Sequence, residues 1–212
     1  MPEIKNNIFL ITVLRQIPRL LGLLNRNPMS KSYGSFDRAY WHYRANDISC
    51  ARQQEAVLTL ALLYLHNFPG NIYYNNQQIL EWINGSLKFT LSIQNYDGSF
   101  NEWYINERSF VGTSFVAAAL AETLIILGKN KVRQYEKILN RLAKAADWIA
   151  GHTEVQVFNQ LAGGVLALAK IATLLDKQAY KTSSQNKLAI IEKTQSPEGW
   201  WSEYGGPDIG YL

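Results

Sequence analysis

One stretch of this chain occurs twice. Gln94-Asn95-Tyr96-Asp97-Gly98-Ser99-Phe100-Asn101-Glu102-Trp103 aligns without a gap on Gln195-Ser196-Pro197-Glu198-Gly199-Trp200-Trp201-Ser202-Glu203-Tyr204, at an offset of 101 residues. The glutamine, the acid, the glycine, the aromatic two residues on and the later glutamate all agree. Phe89-Thr90 and Ile190-Ile191 stand five and four residues ahead of each glutamine. A degenerate copy without the glycine lies at Trp148-Ile149, and an earlier echo at Tyr33-Gly34-Ser35-Phe36-Asp37. These halve the period to about fifty residues, the length of one helical hairpin. A unit of that size cannot bury its apolar face alone and must stack on its neighbours.

The segments between the copies read as helices. Ile8, Ile11, Leu14, Ile17, Leu21 and Leu24 recur near a spacing of 3.6, with Pro18 expected to kink or break the run. Further helices are predicted over 47–66, with Asp47 as N-cap and Cys50 inside the helix, and over 76–94, 109–127, 131–151, 159–175 and 178–194. Strand alternation is nearly absent. Residues 110–127 and 161–175 are apolar almost all round and should be buried, whereas 131–151 and 178–194 carry a polar face. The expectation is an all-α, α/α toroid-like array of antiparallel helical hairpins in two layers, forming one domain over 1–212. A closed toroid needs five or six hairpins and this chain supplies three and a half. Pro207-Asp208 before Ile209-Gly210-Tyr211-Leu212 reads as a new helix start. The array is therefore expected to be open, either a fragment of a longer toroid or completed by a partner chain at its C-terminal edge.

The 212 residues are 47% hydrophobic and 18% charged, which excludes a disordered, collagen-like or coiled-coil chain. A formal net charge of +4 is spread without a basic run, so no nucleic-acid partner is expected. The single cysteine, Cys50, supports neither an internal disulfide nor a cysteine-rich zinc site. The apolar run from Ile8 to Leu14 is too short to span a bilayer and no cleavage site follows it. No membrane span is expected, and the cytoplasm is the expected location.

The glutamine–glycine–aromatic pattern resembles the QW-type repeat of the α/α-toroid proteins. That superfamily includes terpenoid cyclases, prenyltransferase β-subunits and toroid polysaccharide lyases and hydrolases. The resemblance covers roughly residues 76–212 and implies the fold more than the chemistry. Terpenoid cyclases use aspartate-rich clusters, and here no two aspartates are adjacent. The zinc site of the prenyltransferases needs Asp, Cys and His together, and Cys50 has no partner pattern. The character of the loops is closest to the toroid lyases and heparinase-like proteins. Within the repeat, Gln94 and Gln195 are expected to clasp neighbouring helix ends, with Gly98 and Gly199 making the turns. Both turns should lie at the same end of the molecule.

Three polar-aromatic loops are the candidate site. The first holds Tyr33, Asp37, Arg38, Tyr40, His42 and Arg44, the second Glu102, Trp103, Tyr104, Glu107 and Arg108, and the third Trp201, Glu203, Tyr204 and Asp208. Aromatic faces beside carboxylates and guanidinium groups suit sugar rings, and the arginines suit an anionic polysaccharide or oligosaccharide. A lyase or epimerase acting on a uronic acid needs a base for the C5 proton, an acid and a positive group. His42, Tyr40 and Arg44 supply those types, with packing of the loop as the alternative. Glu203 and Asp208 are the carboxylate pair that a glycoside hydrolase would need. Asn159 is either a helix cap or a ligand for the substrate carboxylate, which the toroid resemblance suggests. No metal and no cofactor is expected. A non-catalytic module binding glycan or protein through the same aromatics is the remaining alternative.

Overall fold

A computed structural model describes residues 8–208. The elements are α1 (Ile8–Leu23), α2 (Arg38–Trp41), a 3-10 turn (Ala51–Glu55) running into α3 (Ala56–Leu65), α4 (Gln77–Ser92), α5 (Phe110–Leu127), α6 (Tyr135–Gly151), α7 (Phe158–Leu175) and α8 (Gln178–Thr194). Asn76 and Ser109 cap α4 and α5, their side chains accepting from the N–H groups of Gln78 and Gly112. The helix start expected at Ile209–Leu212 lies outside the described residues.

The helices form two layers. Phe110 and Phe115 of α5 pack against Gly164 and Gly163 of α7, and Glu122 pairs with Lys170 at 2.5 Å one or two turns further along. Both helices therefore run the same way. The 3-10 turn before α3 meets the start of α5, where the Ala51 N–H donates to the Asn101 carbonyl and Arg52 lies over Phe115. These three make the inner layer. The outer layer is also parallel within itself. Asn84 and Gln94, at and beyond α4, donate to the carbonyls of Lys131 and Arg141 before and within α6, and Tyr180 and Lys187 of α8 reach Asp147 and His152. Among the described residues, α4 and α6 each lead through a loop into an antiparallel inner helix. The result is the expected all-α, toroid-like array of hairpins.

Burial follows the sequence pattern. Twelve residues of α5 are buried, against three in α8, Tyr180, Ser184 and Lys187. Both α5 and α7 are long and apolar enough to cross a membrane by composition, yet much of each surface is spent on the core. Two local expectations are corrected. Of the kink or break expected at Pro18, the break does not occur: the helix runs through that exposed residue. No helix starts at Asp47, because Asp37 takes up the backbone instead. Its carboxylate accepts from Tyr40 N–H to cap α2 and from Cys50 N–H at 2.8 Å. Cys50 consequently lies before the 3-10 turn, where burial pushes its thiol pKa up.

Candidate functional site: a loop rim at the start of the inner helices

The loops that follow α1, α4 and α8 share one pair of backbone hydrogen bonds around a glycine. Gly98 N–H donates to the Asn95 carbonyl and Asn95 N–H to that of Ser99. Gly199, Ser196 and Trp200 make the same pair of bonds, and Gly34, Asn25 and Ser35 make it again around a loop longer by six residues. The echo at Tyr33–Asp37 thus shares the pairing but not the tight turn. Because the inner helices are parallel, these turns gather at one end, as expected for Gly98 and Gly199. Gln94 donates to the carbonyls of Gly98 and Arg141, so it clasps its own loop to the next outer helix. It does so by donating only, since its Oε1 has no hydrogen-bond partner among the described residues. The α6–α7 loop lacks the motif, and there the buried Lys187 ammonium binds the His152 carbonyl and the Thr153 hydroxyl.

Beyond the turns at Gly98 and Gly199 a buried glutamate ties the loop to an inner helix. Glu102 accepts from Ser109 Oγ at the start of α5, with Arg52 Nη1 at 3.9 Å. Burial raises its pKa, and the Ser109 hydrogen bond and Arg52 oppose that rise. Glu203, its counterpart, accepts from both the backbone N–H and the side-chain amide of Asn159 in the first turn of α7. Asn159 is therefore engaged inside the protein, and both oxygens of Glu203 are used. Each glutamate is followed by an aromatic facing solvent, Trp103 at 67% exposure and Tyr204 at 68%. Arg108 pairs with Asp97 at 3.0 Å and lies over Tyr96.

Of the first loop, Arg38 and Trp41 close the end of α1, donating to the carbonyls of Gly22 and Leu23. Tyr40 packs against Phe89, and Tyr33 fills the space beside Gly85 on the outer layer. Asp37 is buried and bound to backbone. His42 is exposed between Trp41 and Tyr43, and its ring makes no hydrogen bond among the described residues; Arg44 is exposed beside it. Elsewhere, Asn159, Trp201, Glu203 and Asp208 line one cavity of about 470 Å³ with Phe158 and Ile191. No contact joins that cavity to His42.

Three participating residues escaped the sequence reading. Arg52 pairs with Glu55 at 2.5 Å and lies over Phe115. The signal for the pair was Arg-x-x-Glu at a helical spacing, and Phe115 gave none beyond its residue type. Glu107, a member of the second candidate loop, takes a part that its residue type did not show: it gathers backbone N–H groups there.

A helical-hairpin array that presents aromatics, carboxylates and guanidinium groups at one end is suited to a carbohydrate ligand. Residues 35–201, about four fifths of the chain, match the ulvan lyase N-terminal domain family, and the chain belongs to that family. It is thereby a polysaccharide-processing domain of the lyase class, directed at an anionic glycan. No curated protein and no solved structure matches the chain significantly.

Proposed function

We propose that the rim holds a uronic-acid-containing polysaccharide for β-elimination. The supporting observation is the pair Trp103 and Tyr204. They occupy one position of the repeat, and each stands exposed beside a glutamate anchored in an inner helix. Apolar ring faces held at fixed spacing are what the C–H faces of successive sugars require. In elimination a base takes the C5 proton, the C4–O bond breaks, a C4–C5 double bond forms and the leaving oxygen gains a proton. We assign the base to His42, an exposed imidazole whose nitrogens the protein leaves open, with Tyr40 as proton donor and Arg44 facing the carboxylate. The engagement of Glu203 by Asn159 argues against the hydrolytic pairing of Glu203 with Asp208. We also read the glutamine–glycine turn as the QW-type element of the toroid superfamily.

The test is release of unsaturated uronate from such a polysaccharide, followed by ultraviolet absorbance. His42→Ala should lose at least about a hundredfold in kcat, as for a general base, with Tm unchanged to within about 2 °C. Unchanged turnover would remove His42 from the chemistry.

A further inference from the structure

The lip between α4 and α5 carries its own scaffold. One carboxylate oxygen of Glu107 accepts from three consecutive backbone N–H groups, those of Glu102, Trp103 and Tyr104, at 2.7, 2.8 and 3.4 Å. The residues on either side, Asn106 and Arg108, have φ of +61° and +53°, the left-handed region. Asparagine tolerates this conformation; arginine adopts it only where its surroundings compel it. Here Asn101 accepts the Arg108 N–H at 3.0 Å and Asp97 holds the guanidinium. The backbone of the lip is thus bound inward while Trp103, Tyr104 and Ile105 all face solvent.

Three successive large apolar side chains on a free loop would fold back onto the protein. Converging N–H groups on one carboxylate prevent that, because they turn the backbone inward and the rings out. The same bonds hold Glu107's charge within the loop.

We infer that Glu107 is the positioning residue of the glycan rim: it pre-forms the platform on which Trp103 and Tyr104 stack sugar rings. The inference rests on the reading of the rim as a polysaccharide site. A platform ordered before binding spares the ordering of its side chains on association, so Glu107 acts on affinity and not on the chemical step.

The experiment compares the wild-type chain, Glu107→Ala, Glu107→Gln, the double variant Trp103→Ala/Tyr104→Ala, and the triple variant combining Glu107→Ala with it. The probe is a uronic-acid oligosaccharide, with a neutral glucan as control, and amide exchange is measured on the same proteins. Glu107→Ala should raise KM about tenfold and leave kcat within about twofold. Glu107→Gln, which keeps an acceptor oxygen, should recover most of the loss. The triple variant should bind no worse than the double, and exchange at residues 102–104 should accelerate with α5 unaffected. Losses that add in the triple variant, or an unchanged KM alongside accelerated exchange, overturn the role of Glu107 alone. A wild-type chain that binds the charged oligosaccharide no better than the glucan overturns the rim reading and this inference together.

Discussion

At Gly98 a Cβ would come within 2.3 Å of the Lys144 carbonyl of α6, whereas at Gly199 nothing among the described residues lies within 4 Å. The two turns are otherwise alike. Their φ values are +98° and +95°, and their internal hydrogen bonds match. Gln94 is 8% exposed and reaches Arg141 on the next outer helix; Gln195 bonds the Gly199 carbonyl in the same way and stays exposed. Phe100 is buried in the core, and Trp201 is only half-buried. The turn's conformation is therefore written in its own ten residues. Its burial, and the demand for a residue without a side chain, come from the outer helix that packs over it.

Replacing the glycines separates those two contributions most sharply. Gly98→Ala meets both the left-handed backbone and a backbone carbonyl, and should lose about 3 kcal/mol or more. Gly199→Ala meets only the first and should lose about 1 kcal/mol. Urea titration of both variants checks this, and equal losses would mean that neighbour contact adds nothing. A smaller contrast is expected at the glutamines. Gln94→Ala abandons two carbonyls next to a packed helix and should lose about 1–3 kcal/mol, against less than about 0.5 kcal/mol for exposed Gln195→Ala.

The smallest effect is electrostatic. Burial alone would push the Asp97 carboxyl up, but the Ser99 hydroxyl and N–H together with Arg108 hold it below the ordinary value of 3.8. A carboxyl with a depressed folded pKa binds fewer protons in the folded chain than in the unfolded one. Its stabilisation is present above that ordinary value and disappears as pH falls through the depressed one. Asp97→Asn should accordingly flatten the acid side of the stability profile, and an unaltered acid limb would show that the Arg108 pair contributes nothing.

Much of the fold was legible because its signals are local. Apolar residues at helical spacing placed every long helix, and the side-chain oxygens of Asn76 and Ser109 marked two starts. Where the reading failed, a distant group had intervened. Asp47 had the right residue type for a cap, but the loop brings Asp37 to Cys50 N–H across thirteen residues. The candidate site was legible as loops, and the recurring Glu102 and Glu203 were picked out by their offset. What the repeat could not show was direction. Both glutamates turn inward onto Ser109 and Asn159, while the aromatics after them turn out. The part played by Glu107 stayed unread because three backbone N–H groups converge on it, and backbone donors leave no trace in residue identity.

The parallel course of α3, α5 and α7 has an electrical consequence. Each helix presents the positive end of its summed peptide dipoles to the rim, equivalent to roughly half an elementary charge apiece. The outer helices α4, α6 and α8 finish at that same face with the opposite sign. The face is therefore positive toward its inner edge and negative toward its outer edge, independently of any arginine. Helix-end charge is felt within about one turn of the terminus and is screened by salt, so it favours an anionic group only where that group sits against the inner edge. Glu102 and Glu203, seated against two of the positive ends, trim that field. Under the proposed function, this balance would hold an anionic glycan at the inner edge and still let it leave.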